Sequence, residues 1–293
     1  MPLNIAFLGA GLMATPMIER LLAAGHPVGI WNRTRAKLEP LLARGATAPD
    51  APAQAANADL VLMCLMDAAA VRSTLFGDQG LASAARESIR ARCLVDHSSI
   101  RPDATREMAA QLAARSGIDW IDAPVSGGIA GAAAGTLAVM CGGPQSAFDM
   151  ARPVLAAYAA NITLMGPVGA GQTTKLINQV LVGSAIATIA EAVSLAQAAG
   201  INAAALPRAL AGGWADSKPL QVFVPRMVEG YDTPIGAIST MLKDLDTALD
   251  LAREANAPLP MAGHAQQLLR LMTARGLGED DPAALVRLYR PTA

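Results

Sequence analysis

Residues 3–8 form a short apolar run that passes without a break into Gly9-Ala10-Gly11-Leu12-Met13-Ala14. A helical pattern follows through Met17, Ile18, Leu21 and Leu22 and ends near Gly25. A strand, a glycine turn and a helix in that order satisfy the G-x-G-x-x-G/A pattern of a dinucleotide-binding βαβ unit, with Ala14 in the third place. Gly9 permits the tight turn, and Gly11 lets a pyrophosphate come close to the backbone. The helix start then offers free N–H groups and a favourable dipole to phosphate. Such a turn alone is a weak signal; its placement between a strand and a helix gives it weight. Gly9, Gly11, Leu12 and Met13 are the candidate cofactor-binding residues here.

Residues 28–31 read as the second strand. An NAD-preferring site carries Asp or Glu at the end of such a strand, for the ribose hydroxyls. This chain has Asn32-Arg33-Thr34. No carboxylate is there to repel a 2′-phosphate, Arg33 can pair with it and Thr34 can donate to it. The expected cofactor is therefore NADP, with NAD possible. A purely local role for Arg33, capping a loop or stacking on adenine, is the competing reading.

Apolar runs continue at 60–65, 93–95, 120–121, 137–140 and 162–164, as expected of strands buried on both faces. Ligands gather at the carboxyl ends of parallel strands. That places Met66-Asp67, and the Asp96-His97-Ser98-Ser99 segment, beside a bound cofactor, with the two serines as hydrogen-bond donors to nicotinamide ribose or substrate. Ser98 and Ser99 can equally cap the helix expected after Pro102. Asp122-Ala123-Pro124-Val125-Ser126-Gly127-Gly128 follows the next strand. Ser126 supplies a hydroxyl, and Gly127 and Gly128 expose N–H groups that can bind a carboxylate, although the composition also suits an ordinary turn.

From Gly169 onward strand signals vanish, and helical patterns occupy roughly 170–199, 202–211, 217–228, 240–256, 259–275 and 281–289. The expected fold class is an α/β Rossmann-like domain with a parallel sheet, at 1–165, followed by an all-α domain at 166–293. The first long helix opens with GAGQTTKLINQ at 169–179. Its glycines turn the backbone into the helix, and Lys175 and Asn178, three residues apart, share one face. A lysine and an amide so placed can give a proton and a hydrogen bond to a ligand; a solvated lysine near a helix start is the plainer alternative.

Composition excludes several classes. A net charge of −1 argues against a nucleic-acid binder. Cys64, Cys93 and Cys141 lie in separate apolar runs without metal-ligand spacing, which suits reduced thiols in a cytoplasmic protein. His26, His97 and His264 suggest no metal cluster. The longest uncharged greasy stretch, 180–190, is short of the ~20 residues that cross a bilayer, so no membrane partner is expected.

Four motifs stand in order: the glycine turn with Asn32-Arg33-Thr34, DAPVSGG at 122–128, GAGQTTKLINQ at 169–179, and Lys243-Asp244-Leu245-Asp246. Together they resemble the β-hydroxyacid dehydrogenase family, which includes 3-hydroxyisobutyrate dehydrogenase and tartronate semialdehyde reductase, over about residues 3 to 290. The resemblance implies an NAD(P)-dependent oxidoreductase of small β-hydroxy acids, acting on a small carboxylate substrate. It implies Lys175 as catalytic acid/base and Asn178 as the substrate-orienting amide. Ser126, Gly127 and Gly128 become the substrate-carboxylate loop, Leu65, Met66 and Ser99 line the nicotinamide end, and Lys243 joins the cofactor side. It also implies a homodimer or homotetramer. Two positions depart from the family pattern: Ala14 replaces a glycine, and Met66 stands where proline is common. Imine reductases share the architecture but usually lack the lysine. Other short substrates within the family, glyoxylate, succinic semialdehyde or threonate, stay open, as does a non-enzymatic NADP-binding regulator.

Overall fold

A computed structural model describes residues 2–289; Met1 and the last four residues of the expected second domain lie outside the described residues. The chain divides into two compact units, the first ending at Lys175 and the second starting at Leu176.

The first unit alternates strands and helices. In order these are β1 (Ile5–Leu8), α1 (Ala14–Ala23), β2 (Val28–Trp31), α2 (Glu39–Leu42), β3 (Leu60–Met63), α3 (Ala68–Phe76), β4 (Cys93–Asp96), α4 (Pro102–Ser116), β5 (Asp119–Asp122), β6 (Val125–Ser126), α5 (Gly128–Ala134), β7 (Leu137–Gly142), α6 (Gln145–Leu155) and β8 (Ala159–Gly166). One sheet takes the order β2-β1-β3-β4-β5-β7-β6, with β8 on β7. The strands β1 to β5 run parallel to one another. The sheet turns mixed at β7, which pairs antiparallel with β5 and β6 and parallel with β8.

The apolar character of β1, β3 and the first three residues of β4 has a direct cause, because each strand feeds two cores. Alternate side chains leave opposite faces. Ile5, Phe7, Leu60, Leu62, Cys93 and Val95 enter one cluster. Ala6, Leu8, Val61, Met63 and Leu94 enter the other. The order reverses at β1, which lies between β2 and β3, and that switch point opens a crevice at the strands' carboxyl ends.

The second unit holds most of α7 (Ala170–Ala198), then α8 (Leu206–Leu210), α9 (Lys218–Val228), α10 (Ile238–Glu254), α11 (Pro260–Ala274) and a terminal 3₁₀ segment, Pro282–Tyr289. Its core gathers Ile186, Ile189, Ala190 and Val193 of α7 with Phe223 and Val224 of α9, Leu245 of α10 and Leu269 of α11. By length and composition α7 could cross a membrane, its apolar window having a mean hydropathy of 1.6. The 180–190 run therefore understates the helix, which continues in both directions through small and polar residues. Its inward residues belong to a protein core. Ile177, Leu181 and Leu195 on the same helix are exposed.

Candidate active site

The glycine turn follows β1 at the switch point. Gly9 has φ +107, and a Cβ there would stand 2.4 Å from the Cys64 carbonyl oxygen, so both conformation and space demand glycine. A Cβ on Gly11 would meet nothing within 4 Å, which leaves open space over the turn. Helix α1 begins at Ala14, and its Met13 N-cap gives no side-chain cap. Leu12 is exposed. An uncapped helix start beneath open space fits the pyrophosphate of a dinucleotide. Asn32 ties this turn to the end of β2: its Oδ1 accepts from the Ala10 N–H at 3.1 Å, and its Nδ2 donates to the Thr34 carbonyl at 2.8 Å. Arg33 and Thr34 are exposed beside it. The nearby Arg35 pairs with Asp50 at 2.9 Å.

At the ends of β3 and β4, Ser98 is buried, and its Oγ accepts from the Leu65 N–H at 2.9 Å. The N-cap of α4 is Arg101, so the capping role weighed for the serines does not apply. Leu65 and Ser99 are half-buried, whereas Met66 is 89% exposed. Beneath them His97 is fully buried. Its Nδ1 lies 2.7 Å from the Ala123 carbonyl oxygen, which can only accept, so Nδ1 carries the proton. Nε2, 2.8 Å from the Tyr158 hydroxyl, then accepts from it. Burial pushes the His97 pKa down to about 4, consistent with a neutral ring.

Two buried carboxyls sit side by side in register, Asp96 on β4 and Asp122 on β5. Burial raises Asp96 to about 7, against the pull of the Ser98 hydrogen bonds. Burial raises Asp122 to about 6, against the amides of Gly169 and Gln172. Ser126 is half-buried on β6, opposite Ala138 of β7. Gly127 and Gly128 take φ +131 and +64 into α5 and are exposed, as a ligand-binding loop requires.

Lys175 is half-buried in the early turns of α7, the last residue of the first unit. Gly169 has φ +92 and does turn the chain into the helix. Gly171 serves another purpose: a Cβ there would stand 2.3 Å from the Met140 carbonyl oxygen, so it admits close packing of the helix start.

In the second unit Asn178 Nδ2 donates to Gln179 Oε1 at 2.9 Å, and Gln179 Nε2 donates to Asp244 Oδ2 at 2.8 Å. Lys243 Nζ lies 3.4 Å from Asp244 Oδ1. Lys243 is exposed and Asp244 buried, so this is not a solvated surface pair. Sequence reading named Asn178 and Lys243 but missed Gln179 and Asp244, which connect them. It likewise missed Asp122 and Gln172. No group of three or more His, Cys, Asp or Glu that could hold a metal occurs among the described residues.

Comparison with known proteins follows the same division. Residues 4–166 match the NAD binding domain of 6-phosphogluconate dehydrogenase, and residues 169–289 match the NAD-binding domain of NADP-dependent 3-hydroxyisobutyrate dehydrogenase. The 2-hydroxy-3-oxopropionate reductase of Escherichia coli (strain K12) is 35% identical over 286 residues, covering 97% of this chain and 96% of the relative. The 3-hydroxyisobutyrate dehydrogenase of Pseudomonas aeruginosa is also 35% identical, covering 98% of each chain. Among solved structures, Mycobacterium tuberculosis 3-hydroxyisobutyrate dehydrogenase with L-serine superposes with a TM-score of 0.86. It is 31% identical over 99% of this chain and 100% of that one. These matches cover both units and the motifs in each, and the chain belongs to the β-hydroxyacid dehydrogenase family of NAD(P)-dependent oxidoreductases acting on CH–OH groups.

Proposed function

We propose that this enzyme reduces a short semialdehyde acid such as tartronate semialdehyde, or oxidises 3-hydroxyisobutyrate, with NADP preferred over NAD. The observation that carries the reading is the lysine-bearing start of α7, fixed to the ends of β4 and β5 inside the dinucleotide-binding unit. Gly9, Gly11, Leu12, Met13, Asn32, Arg33 and Thr34 hold the dinucleotide in this reading, with Leu65, Met66 and Ser99 at its nicotinamide end and Lys243 as a further cofactor-binding residue. When bound, the nicotinamide supplies a hydride in reduction and takes one in oxidation.

The chain's own groups do the rest. Ser126 and the amides at Gly127 and Gly128 hold the substrate carboxylate, and this anchoring aims the carbonyl, a positioning effect. Lys175 as an ammonium gives a proton to the oxygen that develops negative charge; as an amine it takes the hydroxyl proton in the reverse direction. Asn178 orients the substrate, its amide held by the Gln179–Asp244 chain. NADP preference rests on Asn32-Arg33-Thr34, where an NAD site carries a carboxylate. A cytoplasmic location is proposed with it, supported by three unpaired cysteines.

A screen of NADPH and NADH oxidation against two- to four-carbon aldehyde acids, tartronate semialdehyde first, tests the reading. The expected result is best turnover on an acid whose aldehyde is β to the carboxylate, such as tartronate semialdehyde, faster with NADPH. Arg33→Ala then narrows that preference about 10- to 100-fold, the scale of one charge-assisted pair. Glyoxylate or succinic semialdehyde as the best acceptor, or threonate as the best donor in a matching assay of NADP reduction, would move the assignment within the family. Clear preference for NADH would reject the NADP assignment, and dinucleotide binding without turnover on any acid would favour a regulator.

A further inference from the structure

We propose that Asp122, seconded by Gln172, is a positioning residue that sets the placement of Lys175 by clamping the first turn of α7. The inference rests on the catalytic reading of Lys175 given above. A helix start carries N–H groups with no intrahelical partner. In α7 the Asp122 carboxylate takes two of them, accepting from the Gly169 N–H at 2.7 Å through Oδ1 and from the Gln172 N–H at 2.8 Å through Oδ2. Asp122 has no exposed surface, so these charge-assisted bonds form away from water.

Gln172 adds a second clamp. Its Nε2 donates to the Ser98 carbonyl at 2.6 Å, and its Oε1 accepts from the Ile100 N–H at 3.3 Å. Ser98 in turn holds the Leu65 N–H. The ends of β3, β4 and β5 thereby converge on one helical turn. The packing leaves no slack: a Cβ on Gly171 would lie 2.5 Å from the Asp122 carbonyl oxygen, and one on Gly142 would lie 2.7 Å from Asp122 Oδ1. Lys175 follows Gln172 by three residues, less than one turn of helix. Any tilt of the clamped turn therefore passes directly to the Lys175 ammonium. A carboxylate accepts at both oxygens; a carboxamide accepts at one and presents an N–H₂ at the other. Asp122→Asn keeps size and shape while losing one of the two bonds.

The test measures kcat, both KM values, the dissociation constant for NADP and thermal unfolding for Asp122→Asn, Gln172→Met and Lys175→Met. The expected result for the first two is a fall in kcat of about 10- to 100-fold, the scale of a small misplacement of a reacting group. KM values and NADP affinity stay within about twofold. Wild-type kcat in Asp122→Asn overturns the proposal. So does a parallel decline of kcat, KM, NADP affinity and melting temperature, which would mark an ordinary contribution to stability. If Asp122→Asn fails to fold, Gln172→Met decides by the same split. Lys175→Met retaining turnover would remove the catalytic reading and this inference with it. An inactive Lys175→Met beside a fully active Asp122→Asn would remove the inference alone.

Discussion

Replacing Lys175 by methionine lowers kcat by about 10²- to 10⁴-fold, the contribution of a positioned general acid–base group, while NADP binding is unchanged. Methionine keeps a long flexible apolar stem and removes the ammonium. The dinucleotide-binding features of the first unit, from the Gly9 turn to Asn32-Arg33-Thr34, lie elsewhere in the fold and are untouched. Lys175 is half-buried and near the start of a 29-residue helix, so the substitution alters no core position. Stability should stay within about 0.5 kcal/mol of the wild type, as for most substitutions away from a core. Steady-state and single-turnover NADPH oxidation, with NADP titrated by fluorescence, make the comparison. Wild-type turnover in the variant would take the lysine out of the chemistry.

Asp281→Ala is expected to destabilise the second unit by about 3–5 kcal/mol, the effect of removing one partner of a buried ion pair. Asp281 has no exposed surface. Its Oδ2 accepts from Arg226 Nη2 at 2.6 Å and from the Ile235 N–H at 2.9 Å, and its Oδ1 accepts from the Ala283 N–H at 2.8 Å. Arg226 also stacks over Tyr231, 4.8 Å from the ring centroid, and donates to the Thr233 carbonyl. Tyr231 and Arg287 both engage Asp280 beside it. Alanine at 281 leaves the Arg226 guanidinium without its carboxylate, its Nε having no partner among the described residues, and leaves the Ile235 and Ala283 N–H groups without acceptors. The loss should appear as a lower midpoint in chemical denaturation. A change below 0.5 kcal/mol, the range of ordinary surface substitutions, would mean that water replaces the carboxylate at little cost.

Most of the scaffold could be read from local pattern. Strands β1 and β3, and β4 up to Asp96, are continuous apolar runs because each feeds two cores, and the turn at Gly9 has the spacing that a tight passage to a helix imposes. Beyond β5 the pattern weakens. Strand β6 has two residues, too few for any period, so the mixed edge of the sheet was not legible. Residues 202–211 read as one helix, but they form a 3₁₀ turn, Ala203–Ala205, followed by Leu206–Leu210 with Pro207 near the helix start. The terminal 281–289 helix likewise closes as 3₁₀, starting at Pro282.

Among the candidate functional residues, Lys175, Asn178, Ser126 and Lys243 stood out because their motifs are local. Asp122 and Gln172 did not. The bonds from Asp122 reach 47 and 50 residues along the chain, and those of Gln172 reach 74 and 72 residues back to Ser98 and Ile100. No local period encodes such contacts. Asp122 was visible as the first residue of DAPVSGG and as a carboxylate ending a strand, but neither trace points to the start of α7. Gly171 was assigned to turning the chain, yet it is there because two backbone carbonyls leave no room for a side chain.

The most direct test is a crystal structure of the ternary complex with NADP and a bound short 3-hydroxy acid. The account predicts Lys175 Nζ within hydrogen-bond reach, about 2.6–3.2 Å, of the substrate hydroxyl oxygen, with the substrate carboxylate on Ser126 and the amides of the 127–128 loop. A side chain at 175 directed into bulk water, with the hydroxyl served by another group, would contradict it.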